Sequence, residues 1–467
     1  MAEQLTGRTA VATAAPSGRG AAVDDQALDE VVRFTSDLIR IDTTNRGGGD
    51  GNERPAAEYV AERLADAGIQ PRILESAPGR ANVVARVPGA DPTADALLVH
   101  GHLDVVPAEA ADWSVHPFSG EIRDGAVWGR GAIDMKNMDA MVLATVRAWA
   151  RTGHRPARDL VLAFTADEED SAAYGAGYLV EEHADLFEGC SEGISESGAF
   201  TFHAGEGLRI YPVAAGERGT AWIKLTANGT AGHGSKVNRD NAVSHLAAAV
   251  ARIGEYRWPI RVTGTVRAAL TELAALYGVA ADLDDVDALL DKLGAAANFV
   301  RPTVRNSANP TMLQAGYKVN VIPGAATAFV DGRVVPGGEE EFTATMDRLT
   351  GPDVSWEYHH RSVPLQAPVD APAYAAMREA LEHFDPQAHV VPYSMSGGTD
   401  AKQFSRLGVT GYGFSPLRLP PGFDYQALFH GVDERVPVEA LHFGVRVLDR
   451  FLRGASDASA SGAGERG

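Results

Sequence analysis

The sequence predicts an α/β fold in which helices flank a central sheet, with a second α+β unit inserted into it. Helix and strand signals alternate along the first part of the chain. The apolar runs at 82–87, 96–99 and 160–165 have the length of strands buried on both faces. With 467 residues, the chain is too long for one simple core. We therefore expect two folded units.

The first two helices have recognisable start and stop signals. The first follows the capping candidates Asp24 and Asp25. Apolar residues then recur on one helical face at Leu28, Val31, Val32, Leu38 and Ile39. The second helix begins at Pro55 and ends before Gly68, the usual positions of these two residue types. The strands at 82–87 and 96–99 follow, and a helical segment precedes the strand at 160–165.

Five potential metal ligands are spread along the chain, and several of them follow the predicted strands. Ligands beyond the carboxyl ends of strands are typical of open α/β sheets. Nitrogen and carboxylate donors suit zinc, and a site without thiolates is typical of catalytic rather than structural zinc; cobalt or manganese would fit the same donors. The five residues are His102, Asp134, Glu169, Glu196 and His430.

Two further carboxylates are adjacent to these candidates. Glu168 precedes Glu169 and could act as a base on water activated by the metals. Asp104 lies two residues after His102, so in an extended segment both side chains face the same way. We expect the Asp104 carboxylate to hold the imidazole of His102.

The spacing of the candidates indicates where the second unit is inserted, because His430 lies 234 positions after Glu196. We predict tails at 1–23 and 454–467, a first part of the main domain at 24–216, an inserted domain at 217–365 and a second part of the main domain at 366–453. The insert should contain strands at 220–227, 317–322 and 326–335 and a helix at 241–253. We expect residues 255–300 to form a loop-and-helix excursion within it, and a helix at 371–384 to return to the main sheet.

Composition and charge exclude several classes of partner. The formal net charge of −20 argues against binding to nucleic acid, whose phosphates require a basic surface. No run of about 18 apolar residues is present, so we expect no membrane span. The first 24 residues lack the apolar core of a signal peptide, and the single cysteine, Cys190, cannot form an internal disulfide. These observations favour a cytoplasmic protein.

Seven short motifs together resemble one family. They are His-Leu-Asp-Val-Val-Pro at 102–107, Gly-Arg-Gly-Ala-Ile-Asp-Met-Lys at 129–136, Asp-Glu-Glu at 167–169, Gly-His-Gly-Ser at 232–235, Asn-Val-Ile-Pro at 320–323, Gly-Gly-Thr-Asp-Ala at 397–401 and His-Gly-Val-Asp-Glu-Arg-Val at 430–436. The chain resembles, over about residues 25–453, the dinuclear zinc family of glutamate carboxypeptidase, acetylornithine deacetylase, succinyl-diaminopimelate desuccinylase and aminoacylase. The resemblance implies a mixed central sheet and an inserted lid or dimerisation domain.

The resemblance also implies roles for the metal ligands. Asp134 would bridge two zinc ions, with His102 and Glu196 completing one site and Glu169 and His430 the other. The activity implied is hydrolysis of an amide bond next to a free carboxylate, in a small peptide or an N-acyl amino acid.

Other residues would act on the substrate. The resemblance implies that Glu168 is the general base and that His233, from the lid, stabilises the oxyanion, often in the active site of a partner subunit. A homodimer through the lid is therefore expected. The substrate carboxylate would be held by Asn320, Arg333, Gly398 and Thr399, a task suited to the planar fork of arginine and to backbone donors. A surface ion pair with Asp331 is the alternative role for Arg333.

The chain departs from the family pattern at two places. Ser171 and Ala172 occupy positions where the family usually has two glycines. Lys236 and Val237 follow Gly-His-Gly-Ser, where the family often has proline. Neither change touches a ligand, so both bear on the shape of the substrate pocket.

Two other functional hypotheses stay open at the level of sequence. Residues 189–193 match the Gly-x-Ser-x-Gly pattern, which would make Ser191 the nucleophile of a serine hydrolase if a strand preceded it and a helix followed. The fold could also persist without metals as a binding module, and the measurement of bound metal in the purified protein would test this.

Overall fold

A computed structural model of the protein describes residues 23–205 and 207–461, with side chains as far as Gly454. The predicted tail at 1–23 therefore lies almost wholly outside the described residues. The helices are α1 (Asp25–Arg40), α2 (Arg54–Asp66), α3 (Lys136–Thr152), α4 (Ala176–Glu182), α5 (Ala242–Glu255), α6 (Gly264–Leu276), α7 (Val286–Lys292), α8 (Glu339–Thr350), α9 (Pro372–Phe384), α10 (Ala401–Phe404), α11 (Tyr425–Leu428) and α12 (Val438–Ser461).

The strands form one large sheet and three smaller ones. They are β1 (Pro71–Ala77), β2 (Arg80–Val87), β3 (Ala96–His102), β4 (Glu121–Arg123), β5 (Ala126–Trp128), β6 (Leu160–Thr165), β7 (Cys190–Ser195), β8 (Phe202–Gly205), β9 (Leu208–Glu217), β10 (Gly219–Asn228), β11 (Gly232–His233), β12 (Ser307–Ala315), β13 (Val321–Ile322), β14 (Ala325–Val334), β15 (Val354–Arg361), β16 (Leu365–Gln366), β17 (Ala388–Met395), β18 (Thr410–Gly413) and β19 (Arg435–Pro437).

The large sheet is mixed, which confirms the predicted fold class. Its order is β1-β2-β6-β3-β7-β18-β9-β16, with β8 and β17 also paired to β9. Strands β6, β3, β7 and β18 run parallel to one another, whereas β1 and β2 are antiparallel to their neighbours. In the register of the parallel centre, Leu97 lies opposite Leu160 and His102 opposite Thr165.

Both faces of this sheet are covered by helices, as the continuous apolar runs predict. Leu97 and Val99 of β3 pack into the main core with α1, α2, α3, α9 and α12. Leu98 points to the opposite face and packs with residues of α4 and with Phe404 of α10. The first two helices begin within one residue of their predicted starts, and Asp24 caps α1 by accepting the backbone N–H of Ala27 at 2.8 Å.

A second, antiparallel sheet has the order β12-β14-β10-β15. Helices α5 and α8 cover one of its faces, with Leu246, Phe342 and Met346 buried between them and the strands. The chain leaves the large sheet after Glu217 and rejoins it at Leu365, which pairs with Glu217. The strands predicted at 220–227 and 326–335 and the helix predicted at 241–253 all belong to this unit.

The excursion at 255–300 packs differently from the prediction, which assigned it to the insert. Helices α6 and α7 and the 3-10 turn Gly294–Phe299 form a cluster with Ile210 of β9 and Val391 of β17. Helices α6 and α7 and this turn therefore lie on the large sheet, because their apolar faces find a partner there, whereas Trp258 packs in the core of the second unit.

The strand predicted at 317–322 is largely wrong. Only Val321–Ile322 is a strand, paired with Gly232–His233 in a two-stranded ribbon, and Tyr317 is exposed before it. Instead, β12 forms an edge strand that the sequence does not signal, since it contains Pro310, next to which its register shifts. Proline in a strand is compatible with such an edge position.

The chain does not become irregular at Gly454 as predicted. Helix α12 continues to Ser461. The segment contains several alanines and no proline, so nothing in it stops a helix. Among the described residues, no helix combines the length and apolar character needed to cross a bilayer.

Candidate metal centre and active site

Two groups of potential metal ligands lie together and share one carboxylate. His102, Asp134 and Glu196 form one group, and Asp134, Glu169 and His430 form the other; within each, the ligand atoms all lie within 4.8 Å of one another. The Nε2 atom of His102 is 3.1 Å from Oδ1 of Asp134, and Nε2 of His430 is 2.9 Å from Oδ2. Each oxygen of Asp134 thus faces a different histidine, the arrangement required of a bridging ligand.

The large sheet explains why these side chains meet. His102 is the last residue of β3, Glu168 and Glu169 follow β6, and Glu196 follows β7. These strands are parallel neighbours in the order β6-β3-β7, so their carboxyl ends lie at the same edge. His430 has a left-handed backbone, with φ 57, and its Nε2 is 3.1 Å from Oε2 of Glu169.

The loop before α3 that carries Asp134 is held by Glu434. The Glu434 carboxylate accepts the backbone N–H groups of Ile133 at 2.8 Å and Asp134 at 3.2 Å, and it pairs with Arg130 at 2.8 Å. Gly129 has φ 146, and a Cβ there would lie 2.3 Å from a methyl group of Ile39. The motif at 129–136 is therefore tied to the motif at 430–436 by a buried carboxylate.

Asp104 holds His102 in a different way from the prediction. The backbone carbonyl of Asp104, not its carboxylate, is 2.9 Å from Nδ1 of His102, whereas the nearest carboxylate oxygen is 3.6 Å away. The carboxylate instead accepts the backbone N–H groups of Glu168 and Glu169, at 3.1 Å each, and the amide of Asn45 at 2.9 Å. The side chain is turned towards the turn after β6 because that turn offers two parallel donors.

A buried network supports the same turn from the other side. Asn45 also donates to Asp167 at 3.1 Å, and Arg80 pairs with Asp167 at 2.9 Å and with Glu53 at 2.8 Å. Asp167 adopts the left-handed conformation, with φ 66, which these contacts hold in place. No sequence motif points to Asn45, Glu53 or Arg80, since their partners are distant in the chain.

The electrostatics of the site fit bound cations. Burial, and then the negative charge of Glu196, raise the pKa of Glu168 well above its ordinary value, and burial followed by Asp134 raises the pKa of Glu169 to about 7. The buried Oε1 atom of Glu169 has no hydrogen-bond partner among the described residues. Nitrogen and oxygen donors around an unpartnered carboxylate oxygen suit two divalent ions such as Zn²⁺, Co²⁺ or Mn²⁺.

Glu168 is not a member of either ligand group. Its Oε2 atom is 4.0 Å from Nε2 of His102, and its side chain lines the cavity above the site. A carboxylate beside the ligands but outside their groups is positioned to exchange protons with water or substrate.

A cavity of about 590 Å³ opens over the ligands. It has a polar end that includes Arg333, Ser396, Gly397 and Gly398, and an apolar wall. The wall consists of Phe200, Phe299, Tyr393, Tyr425 and Phe429. A second cavity of about 450 Å³ adjoins it and shares Glu168, Arg333 and Gly398.

The predicted substrate-binding residues do not all reach the cavity. Arg333 and Gly398 line it. Arg333 also forms a bidentate ion pair with Asp331 at 2.7 and 3.1 Å. The ion pair and a position in the cavity lining therefore occur together in the same side chain. Thr399 lines the second cavity but not the first, and its N–H and hydroxyl donate to Glu217 at 3.1 and 2.7 Å.

His233 and Asn320 lie together on the exposed ribbon of β11 and β13. The backbone N–H of Gly234 donates to the carbonyl of Asn320 at 2.9 Å, and Nδ1 of His233 is 2.8 Å from the hydroxyl of Ser235. Neither His233 nor Asn320 lines the cavity within one chain.

Comparison with known proteins agrees with this geometry. A profile of peptidase family M20/M25/M40 matches residues 98–454. The chain belongs to this family. This confirms the resemblance inferred from the seven motifs.

Members of the M20/M25/M40 family with described activities are similar along most of the chain. N-fatty-acyl-amino acid synthase/hydrolase PM20D1.1 of Danio rerio is 28% identical over 405 residues, which is 79% of this chain and 76% of that protein. Aminoacylase-1 of Sus scrofa is 28% identical over 416 residues, covering 85% and 89% respectively. The solved M20 metallo-carboxypeptidase Sso-CP2 of Sulfolobus solfataricus has the same fold, with a TM-score of 0.69, 18% identity and coverage of 92% and 99%.

The serine-hydrolase hypothesis does not fit the M20 fold of this chain. Ser191 is the second residue of β7, which starts at Cys190 and continues to Ser195. A nucleophile of that type needs a sharp turn between a strand and a following helix, and here the strand follows the serine.

Proposed function

We propose that this chain is a metal-dependent hydrolase that cleaves the amide bond of N-acyl amino acids. The observation that carries the proposal is the pair of ligand groups sharing Asp134, with Glu168 beside them in the same cavity. The proposal also draws on the sequence relatives, since one is an N-fatty-acyl-amino acid synthase/hydrolase and another an aminoacylase. Dipeptides and C-terminal peptides are the second substrate class, because they carry the same amide next to a free carboxylate.

The ligands would hold two divalent cations, which we propose to be zinc. His102 and Glu196 would bind one ion, and Glu169 and His430 the other. Asp134 would bind both. When bound, the ions polarise the scissile carbonyl and lower the pKa of water.

Glu168 would carry out the proton transfers. As a carboxylate it accepts a proton from the attacking water, whose oxygen bonds to the carbonyl carbon. As an acid it returns that proton to the nitrogen of the leaving amine when the C–N bond breaks. The products are a carboxylate and a free amino acid.

The polar end of the cavity would orient the amino acid. Arg333 is already ordered by Asp331, and the backbone of Gly398 lies at the same end. A carboxylate bound there would fix the amide relative to Glu168, so that binding energy contributes to turnover.

We also propose a homodimer through the inserted unit and, from the single buried cysteine, a cytoplasmic location. In a dimer, His233 and Asn320 could reach the cavity of the partner subunit, which they do not reach in their own.

A hydrolysis screen tests the proposal. The protein is purified, stripped with a chelator and reloaded separately with Zn²⁺, Co²⁺ and Mn²⁺, and then given N-acyl amino acids and dipeptides. We expect the release of free amino acid from N-acyl amino acids only after metal is restored. If the stripped protein keeps full activity, or the reloaded protein hydrolyses neither class, the proposal is wrong.

A further inference from the structure

A continuous strip of aromatic rings leads away from the metal centre along the cavity wall. The ring of Phe429 stacks on His430 with centroids 5.2 Å apart, and Tyr425 is 5.9 Å from Phe429. Phe200 stacks on Tyr425 at 4.1 Å, and Phe299 follows at 6.1 Å from Phe200. Successive ring contacts therefore connect the proposed metal ligand His430 to Phe299.

The strip contributes ring surface to the cavity, whose lining also includes the polar residues Ser197 and Gln426. Tyr393 faces Phe299 at 6.1 Å in an edge-to-face arrangement, and its hydroxyl is occupied by a 2.6 Å hydrogen bond to the carbonyl of Ser197. Phenylalanine rings have no polar atoms. We call Phe200, Phe299, Tyr393, Tyr425 and Phe429 the aromatic wall, and its chemistry suits an apolar group.

Phe299, the last ring of the strip, belongs to the excursion that packs on the large sheet. Phe299 ends the turn Gly294–Phe299, and its ring is held edge-to-face against Phe202 at 4.6 Å. The excursion is anchored through a buried cluster that includes Ile210 and Val391. Phe299 is thus fixed by packed structure, as a residue that selects ligands by shape must be.

The aromatic wall and the polar end of the cavity are separate parts of its lining. Arg333 and Gly398 border the second cavity as well as the first, whereas no member of the aromatic wall borders the second. A substrate with its carboxylate at Arg333 and its amide at the metal centre therefore extends its acyl group along the aromatic wall.

From this geometry we infer that the aromatic wall binds the acyl group and that Phe299 makes the enzyme select large apolar acyl groups over acetyl. The inference rests on the proposed function and specifies its substrate class. Burial of each methylene contributes about 0.8 kcal/mol, or about fourfold in binding, until the wall is covered. Acyl groups from about four to eight carbons should therefore gain progressively over acetyl.

The test uses the metal-loaded full chain and N-acetyl, N-butanoyl, N-hexanoyl and N-octanoyl derivatives of one amino acid. For the wild type we expect kcat/KM to rise at least tenfold from acetyl to octanoyl. Phe299→Ala should lower the octanoyl value by about tenfold while the acetyl value stays within about twofold, because acetyl does not reach the ring. The kcat/KM of Phe299→Leu for the octanoyl derivative should lie between those of the wild type and Phe299→Ala, since leucine keeps part of the apolar surface.

A matched control separates loss of the ring from loosening of the excursion. Tyr277 is a partly buried aromatic residue of the same cluster that lines neither cavity, so Tyr277→Leu should leave the acyl preference unchanged. A second measurement is inhibition by the product carboxylates acetate, hexanoate and octanoate, which should strengthen with chain length in the wild type and much less in Phe299→Ala.

The outcomes distinguish this inference from the proposed function. If all four acyl derivatives are hydrolysed equally fast, or if Phe299→Ala keeps the acyl preference of the wild type, the proposed role of the aromatic wall is wrong. The proposed function is not affected by either result. If Tyr277→Leu loses the preference for long acyl groups as much as Phe299→Ala does, the proposed role of the aromatic wall is also wrong. If no derivative is hydrolysed, and the carboxylates inhibit no other activity found in the screen, both this inference and the proposed function are wrong.

Discussion

The carboxylate of Asp104 accepts the backbone N–H groups of Glu168 and Glu169, at 3.1 Å each, while its backbone carbonyl contacts Nδ1 of His102. One residue thus positions a ligand on β3 and the turn after β6 that carries the base and another ligand. The spacing of His102 and Asp104 predicts a contact between the imidazole and the carboxylate instead. Because both strand ends depend on Asp104, its replacement should affect metal binding and turnover together.

Asp104→Asn should therefore weaken metal binding and turnover by about 10–100-fold each, the usual cost of losing a residue that orients ligands. The amide has only one acceptor oxygen, so one backbone N–H would lose its partner or face a donor. Metal content after dialysis and kcat measure the two effects. Asp170→Asn, which removes a carboxylate bonded to Gly48 in the same loop, is the control and should retain metal. Unchanged metal affinity and turnover in Asp104→Asn would contradict the positioning role.

Glu168→Gln should leave two metals bound while kcat falls by at least about 10²-fold, because the amide cannot accept the proton of water. The metal-to-protein ratio by elemental analysis and the steady-state rate check this. Loss of a metal along with activity would instead identify Glu168 as a ligand.

Arg333→Lys should lower kcat/KM even though it retains the positive charge, since lysine lacks the planar bidentate fork. The decisive comparison sets a good substrate against its C-terminal amide. We expect the wild type to favour the free carboxylate strongly, and Arg333→Lys to reduce that preference. Equal kcat/KM values for acid and amide in the wild type would show that Arg333 serves only its ion pair with Asp331.

His233→Ala should reduce turnover by about 10²–10³-fold if His233 supplies an oxyanion donor across a dimer. Within one chain it is exposed and outside the cavity, and the apolar side chains of Tyr317 and Val319, just before Asn320, are also exposed. A mixture of His233→Ala and Glu168→Gln proteins should regain activity, because hybrid dimers contain one intact site. If subunits exchange and no activity returns, the partner subunit does not complete the site.

Metal affinity should increase with pH between about 6 and 8. In the metal-free site, hydrogen bonds to Asp134 and then Glu169 raise the pKa of His430 to about 10, and burial raises that of Glu169 to about 7. Both must lose protons to bind metal, so a higher pH favours binding and the binding releases protons. Calorimetry in buffers of different ionisation enthalpy measures that release. Affinity that is constant across this range would contradict the protonation of His430 and Glu169 in the metal-free site.

The same histidine predicts how the metal-free protein responds to alkali. The folded pKa of His430, about 10, exceeds the ordinary value near 6.5, so its stabilisation is fully present below 6.5 and is lost as the pH rises towards 10. The melting temperature of chelator-treated protein should therefore fall between pH 7 and 10 more than that of the loaded protein.

The α/β fold and the candidate ligands could be predicted from residue patterns along the chain. Strands alternate side chains between two faces and end at turns, so a local pattern was enough to place His102 at the end of β3 and Glu168 and Glu169 after β6. Because parallel neighbours end at one edge, local order along the chain became proximity in space.

The groups that these residues contact could not be predicted in the same way, because they come from distant segments of the chain. The direction of the Asp104 carboxylate, the hydrogen bonds of Thr399 to Glu217 and the position of Phe299 against Phe200 all join segments far apart in sequence. Such contacts depend on how packed elements are oriented, and no residue spacing encodes that orientation. The excursion shows this most directly, because its apolar helices could cover either sheet, and only the packing against Ile210 and Val391 brings Phe299 to the active site.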